Sequence, residues 1–123
     1  MSEERLIGIV DDDASLRRSL GNLLGSTGFN VETFASAEAF LAADRAETMA
    51  ALVLDVRMPG MSGVELLVEL ARRSSRLPVV VLTAHGDEDV RKQCFRAGAL
   101  AFLTKPFQAK DLLDAIEQAT RGD

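Results

Sequence analysis

Five short apolar runs recur along the chain, separated by longer segments in which hydrophobic residues are spaced differently. The runs are LIGIV at 6–10, FNVETF at 29–34, ALVLDV at 51–56, PVVVLT at 78–83 and LAFLT at 100–104. Three of them are almost continuously apolar, which is typical of parallel strands covered by helices on both faces of a sheet. FNVETF alternates more between apolar and polar residues, which favours an edge strand.

The segments between these runs have the spacing of amphipathic helices. A stripe of leucines begins at Leu16 and stops at Gly28, as expected for a helix that ends at a glycine. Ser36 can cap a second helix, and Ser62 with Glu65 forms an S-x-x-E capping box for a third. Two further helices are predicted at 87–97 and 108–120.

This regular alternation predicts an α/β fold, namely a doubly wound, parallel, five-stranded sheet with five helices. No linker, low-complexity tract or longer repeat divides the sequence. We therefore expect residues 1–123 to form a single domain, which suits a chain of 123 residues. The strand order stays open at this point, because periodicity does not determine it.

Composition narrows the classes of partner and location. The hydrophobic fraction of 47% and the mean hydropathy of +0.08 are typical of a globular protein. A net charge of -5 argues against direct binding of nucleic acid or of an anionic membrane, because both need a basic surface. No apolar run is long enough to span a membrane, and the acidic start does not resemble a signal peptide, so we expect a cytoplasmic protein. The single cysteine, Cys94, is interpreted as a packing residue.

Polar residues lie at the ends of four of the predicted strands, and the carboxyl ends of parallel strands meet at one edge of the sheet. These residues are Asp11 and Asp12 at the end of the first strand, Asp55 at the end of the third, Thr83 at the end of the fourth and Lys105 at the end of the fifth. Two carboxylates about 4 Å apart repel by roughly 4 kcal/mol at an effective dielectric of 20, so three of them require compensating cations. Lys105 supplies one charge, and Mg²⁺ suits the remainder because it prefers oxygen ligands. Asp13 is interpreted as the start of the first helix.

Carboxylates, a hard metal ion, a lysine and a hydroxyl together suit phosphoryl transfer. Asp55 is the best-placed nucleophile, and its attack on phosphorus would give an aspartyl phosphate. Lys105 could hold the phosphoryl oxygens, and Thr83 could donate a hydrogen bond to them. The sequence has no G-x-x-x-x-G-K-S/T loop for using ATP, so we expect another protein to donate the phosphoryl group.

This combination of residues resembles the receiver domain of two-component response regulators, over essentially the whole chain. The motifs that carry the resemblance are the aspartates after IV, LVLDVRMPGMSG, VVVLTAH and FLTKPF. The segments FASAEAFL, DVRMPGMSGVELL and FRAGALAFLTKPF are most similar to the FixJ-type branch, whose receivers usually precede a helix-turn-helix output domain. The resemblance implies a flavodoxin-like sheet with strand order 2-1-3-4-5.

The resemblance also implies a role for each acid. Asp55 would accept a phosphoryl group from a phosphohistidine of a sensor histidine kinase. Asp12, Asp55 and the main-chain carbonyl of Arg57 would bind Mg²⁺ directly, and Asp11 would hold the ion largely through water. The protein would then be a phosphoacceptor and not an enzyme that turns over external substrates.

The remaining implied roles concern the switch. Lys105 would pair with the acyl phosphate. In such domains, the peptide bond at the position of Lys105–Pro106 is often cis. Thr83 would move to hydrogen-bond to the phosphate, and Phe102 would turn inward. The face made by the fourth helix, fifth strand and fifth helix would respond, with phosphorylation-dependent dimerisation as one outcome. His85 lies where receivers vary, and we interpret it as an ordinary loop residue.

Two other functions stay open from the residues. Asp11 and Asp13 have the D-x-D spacing of Mg²⁺-dependent, haloacid-dehalogenase-like phosphatases, which also use an aspartyl phosphate, although no threonine follows two residues later. The second alternative is a binding module whose phosphorylation site is degenerate. Uptake of phosphate without turnover of phosphoesters distinguishes the receiver from both.

Overall fold

Five parallel strands form one sheet in the computed structural model, which describes residues 5–84 and 88–121. The strands are β1 Leu6–Val10, β2 Asn30–Phe34, β3 Ala51–Asp55, β4 Val79–Thr83 and β5 Ala101–Thr104. Their order is β2-β1-β3-β4-β5, and each neighbouring pair is parallel. This confirms the doubly wound fold and the predicted strand order.

Four α-helices lie between consecutive strands and the fifth follows β5, and the last two begin and end within one residue of their predicted bounds. They are α1 Ala14–Ser26, α2 Ala37–Ala43, α3 Gly63–Arg72, α4 Glu88–Arg96 and α5 Ala109–Arg121. A short 3-10 turn at Ala46–Thr48, which the periodicity did not predict, leads into β3. No helix within the described ranges has the length and hydrophobicity needed to cross a membrane.

The sheet separates two hydrophobic clusters. Ile9 and Val53 face α1 and α5, where they pack with Leu24 and Ile116 among others. The opposite cluster is formed with α2, α3 and α4, and its buried members are Val10, Phe34, Ala37, Phe40, Met49, Leu52, Leu54, Val56, Leu66, Leu67, Leu70, Val79, Val81, Cys94 and Ala99. All residues of β3 and β4 are buried, whereas β2 is partly exposed at the edge. The continuous apolar runs therefore mark strands covered on both faces.

Four of the predicted strands, at 29–34, 51–56, 78–83 and 100–104, were each one residue too long, and two of them share a reason. Phe29 and Val56 are buried, but they lie just outside β2 and β3. They are hydrophobic because their side chains pack in the core, although their backbones are not part of the strands. Strand ends are therefore less predictable from hydrophobicity than strand centres.

Side chains cap the helices next to the sheet edge, as the sequence predicts. The Asp13 carboxylate accepts hydrogen bonds from the amides of Ser15 and Leu16 at 2.9 and 3.3 Å, which confirms Asp13 as the N-cap of α1. Ser62 and Glu65 form the reciprocal capping box of α3, with distances of 3.1 and 2.8 Å. These caps fix where α1 and α3 begin.

The first turn of α3 lies directly against the end of β3. The Gly63 amide donates a hydrogen bond to the Val56 carbonyl at 2.8 Å. A Cβ atom at Gly63 would overlap the Asp55 carbonyl oxygen and lie 2.8 Å from the Val56 Cα. Because both of these atoms belong to the backbone, only glycine permits this approach.

We expect Gly63→Ala to lower the free energy of unfolding by about 2 kcal/mol, because the added methyl group must displace main-chain atoms. Urea unfolding measures this change. Gly25→Ala in α1 is the matched control, since nothing lies within 4 Å of its Cβ position. Alanine there should be neutral or stabilising by up to about 1 kcal/mol. Equal stability of the two variants would contradict the close approach of α3 to β3.

Candidate functional site

The candidate site lies at the carboxyl edge of the sheet, where the strand order reverses. The chain passes from β1 to β2 on one side and then crosses to β3 on the other side of β1. The crevice between the ends of β1 and β3 is the usual ligand site of open α/β sheets. Asp11 follows β1 directly, and Asp55 is the last residue of β3. The sequence prediction that these acids share one edge is confirmed.

Three carboxylates converge in this crevice. One oxygen from each of Asp11, Asp12 and Asp55 lies within 4.8 Å of the other two. Asp11 and Asp55 are buried, with 2% and 7% of their surface exposed, while Asp12 is exposed. No other such group of three acid, histidine or cysteine side chains occurs in residues 5–84 and 88–121.

Asp11 is held by contacts from the start of α1. Its carboxylate accepts a hydrogen bond from the Asp13 amide at 2.9 Å, and its carbonyl accepts one from the Arg17 guanidinium at 2.7 Å. The sequence analysis did not identify Arg17. The sequence does show a basic residue near the start of the helix that follows the acids. The spacing of hydrophobic residues, however, does not reveal that its side chain reaches back toward the end of the strand.

Lys105 supplies positive charge from the neighbouring loop. Its ammonium lies 3.5 Å from an Asp11 carboxylate oxygen and 3.6 Å from one of Asp55. The Lys105 amide donates a hydrogen bond to the Thr83 carbonyl at 2.7 Å, and the Lys105–Pro106 peptide bond is cis. The fifth strand thus delivers its lysine to the same crevice as the acids.

The site carries more negative than positive charge. Burial raises the pKa of the Asp55 carboxyl above its usual value, and the charge of Asp11 raises it further, while Lys105 opposes this change in part. Three carboxylates and one ammonium leave a net negative charge that a further cation would neutralise. The donor set consists of oxygen atoms only, which fits a hard divalent ion such as Mg²⁺.

The two predicted switch residues lie in β4 and β5, the strands that follow Asp55 in the sheet. Thr83 is buried at the end of β4 and pairs in register with Thr104 of β5, one residue beyond the Leu82 that pairs with Asp55. Phe102 is partly buried in β5, and its ring centroid lies 6.5 Å from that of Phe95 in α4. Phe102 therefore links β5 to α4, two residues before the position that pairs with Thr83.

The other predicted residues take different places. Arg57 lies in the loop between β3 and α3, two residues after Asp55, and its side chain is exposed. Cys94 is fully buried in α4, and burial raises the pKa of its thiol, which agrees with a packing role. His85 lies outside the described residues, so its interpretation stays a prediction.

Comparison with known proteins gives one consistent result. The response regulator receiver domain family matches residues 7–117. Nodulation protein W of Bradyrhizobium diazoefficiens is 42% identical over 99% of this chain and 54% of its own length. The transcriptional regulatory protein FixJ of the same organism is 41% identical over 98% of this chain and 59% of its own length. This chain therefore spans little more than half the length of these relatives.

A solved structure agrees with the relatives. The crystal structure of FixJ-N superposes with a TM-score of 0.88 at 40% sequence identity, and the match covers 99% of this chain and 98% of that one. The two chains therefore share 40% of their aligned residues as well as the fold.

We expect Asp55→Asn to raise the free energy of unfolding by about 1 kcal/mol near pH 7 without divalent cations. This is a fraction of the roughly 4 kcal/mol by which two carboxylates about 4 Å apart repel, since Lys105 already offsets part of it. The raised pKa means that the folded state holds the Asp55 proton more tightly than the unfolded state. Wild-type stability from this group therefore falls as pH rises from the ordinary carboxyl pKa through the raised value.

Urea unfolding of both proteins at several pH values tests this prediction, and the difference should shrink as the solution becomes more acidic. Asp13→Asn is the control, because asparagine caps a helix as well as aspartate does. A loss of stability in Asp55→Asn at neutral pH would contradict the charge imbalance.

Proposed function

This chain belongs to the response regulator receiver domain family, and from that we propose that it is a phosphorylation switch with Asp55 as the phosphoacceptor. The observation that carries the proposal is the convergence of Asp55 with Asp11, Asp12 and Lys105 in one crevice. A sensor histidine kinase donates the phosphoryl group. Like other FixJ-type receivers, the chain accepts phosphate and does not turn over external substrates.

In the proposed transfer, an Asp55 carboxylate oxygen attacks the phosphorus of a phosphohistidine. A phosphorus–oxygen bond forms as the donor's phosphorus–nitrogen bond breaks, and the imidazole leaves with its electron pair. Lys105 lies 3.6 Å from this carboxylate, favours its ionised form and then pairs with a phosphoryl oxygen. The burial of Asp55 strengthens both interactions, because charges attract more strongly away from bulk water.

The acids hold Mg²⁺ in this proposal. Asp12, Asp55 and the main-chain carbonyl of Arg57 would be its direct ligands, and Asp11 would hold it largely through water. The ion supplies charge neutralisation for the carboxylates and for the phosphoryl oxygens. The excess of negative charge in the crevice supports this assignment.

Phosphorylation changes the surface formed by α4, β5 and α5. The Thr83 hydroxyl donates a hydrogen bond to a phosphoryl oxygen, and Phe102 packs further inward in response. Phe95 and Leu100 lie on this surface and are 38% and 40% exposed, and the Arg91 guanidinium stacks on the Phe95 ring at 5.0 Å. We propose that this apolar area becomes a homodimer contact, because the shift of Phe102 alters the support beneath Phe95.

The names of the relatives support a proposal for the wider role. FixJ is named a transcriptional regulatory protein and is longer than this chain, so control of transcription through a further domain is the proposed output. Residues 1–123 would then be the single receiver domain. The acidic charge makes direct nucleic-acid binding by this chain unfavourable. Partnership with a kinase in a two-component system supports the proposal of a cytoplasmic location.

We expect the protein to incorporate ³²P from a labelled small acyl phosphate in the presence of Mg²⁺, and Asp55→Asn to abolish this labelling. Removal of the metal with a chelator should reduce labelling to the background level as well. Asp13→Asn provides the matched control, since this acid caps α1 and should leave labelling intact. Persistent labelling of Asp55→Asn would refute the assignment, and repeated turnover of a generic phosphoester would instead indicate a phosphatase.

We expect beryllofluoride with Mg²⁺ to shift the protein from monomer to dimer in sedimentation experiments. Phe95→Ala should weaken this dimer by about tenfold, as is usual for a central aromatic contact. Val68→Ala is the control, because Val68 is an exposed apolar residue of α3, away from the proposed surface. An unchanged mass with the mimic, or equal effects of the two variants, would contradict the dimer.

A further inference from the structure

A long-range contact joins the start of α2 to the loop between β3 and α3. The Glu38 carboxylate accepts a hydrogen bond from the Met61 amide at 2.8 Å, across 23 residues of sequence. Glu38 lies in the first turn of α2, whose N-cap is Ser36. Neither its exposed position nor its place in the helix predicts this partner.

The loop is shaped to receive the carboxylate. Gly60 has a φ of +77°, and a Cβ atom there would lie 2.6 Å from the nearer Glu38 oxygen. The missing side chain therefore makes room for the acid. Hydrogen bonds from the Met61 amide and from its own amide lower the pKa of Glu38, so that it is an ionised acceptor, which makes the stronger kind of hydrogen bond.

This contact is the middle one of three that hold the loop. Its start is fixed by Asp55 at the end of β3, and its end by the capping box of Ser62 and by Gly63 against Val56. Arg57, whose carbonyl we propose as a metal ligand, lies between the first of these points and the Glu38 contact.

We propose that Glu38 is a positioning residue for the metal site. It holds the loop in a conformation from which the Arg57 carbonyl would bind the ion, and it acts through the Met61 amide without touching the ion. This inference rests on the proposed function, because it concerns the same Mg²⁺ site. Loss of the contact leaves the acids in place but allows the loop to move, so that Mg²⁺ binds less tightly.

The test compares Glu38→Ala with Glu38→Gln. The glutamine keeps an oxygen acceptor for the Met61 amide but loses the charge, whereas alanine loses both. Weakened interaction with the helix dipole would affect both variants alike, so rescue by glutamine separates the contact from a general effect on α2. Glu47→Ala is the matched control, since Glu47 is an exposed acid in the 3-10 turn before β3, at the other end of that strand.

Two readouts are needed on the full chain: calorimetric titration with Mg²⁺ alone, and the Mg²⁺ dependence of labelling by a small acyl phosphate. Glu38→Ala should weaken Mg²⁺ binding by about fivefold, less than the roughly 10- to 100-fold of a residue bonded directly to a ligand. Its labelling rate at saturating Mg²⁺ should match the wild type. Glu38→Gln should stay within about twofold of the wild type, and Glu47→Ala should be unchanged.

Hydrogen exchange of the Met61 amide reports the contact itself and should accelerate in Glu38→Ala only. Wild-type Mg²⁺ affinity in Glu38→Ala would overturn this inference while leaving the proposed function intact. A glutamine variant as weak as the alanine variant would also overturn it. Failure of the wild type to bind Mg²⁺ or accept phosphate would overturn the proposed function and this inference together.

Discussion

The main constraint on the rest of the structure is a charge imbalance at the sheet edge. Three carboxylates and one ammonium lie in a crevice between two neighbouring strands. Two such carboxylates repel by roughly 4 kcal/mol at an effective dielectric of 20, and burial makes the charges costlier still. Lys105 and the Asp13 amide compensate only part of this cost. The folded chain therefore keeps an electrostatic strain that a bound cation would relieve, and the stability to tolerate it must come from elsewhere.

That stability comes from the centre of the sheet. β3 and β4 are buried along their whole length, with α1 and α5 on one side and α2, α3 and α4 on the other. The helices also shape the rim of the crevice. α1 begins at the Asp13 cap, and α3 packs against β3 at Gly63. Glu38 of α2 contacts the loop between β3 and α3. Packing and site geometry are thus supplied by the same elements.

The sequence predicts the parts of this arrangement that repeat or that follow strand ends. Hydrophobic runs identify the strands, and the rule that parallel strands share a carboxyl edge brings Asp11 and Asp55 together. The roles of Glu38 and Arg17 could not be predicted, because each depends on where a flexible side chain reaches after folding. The 3-10 turn at Ala46–Thr48 was missed because three residues are too few to show a period.

The hydrogen bond between the Lys105 amide and the Thr83 carbonyl has a mechanical consequence. It ties together the main chains of two residues that would both contact a phosphoryl group, and the ladder between β4 and β5 extends to the same point. The main chain of Thr83 is therefore anchored at its carbonyl, and we expect its hydroxyl to move chiefly by rotation about χ1, which has three staggered positions. Rotation between staggered positions is stepwise, so we expect each molecule to change between discrete conformations on phosphorylation and not to respond by degrees.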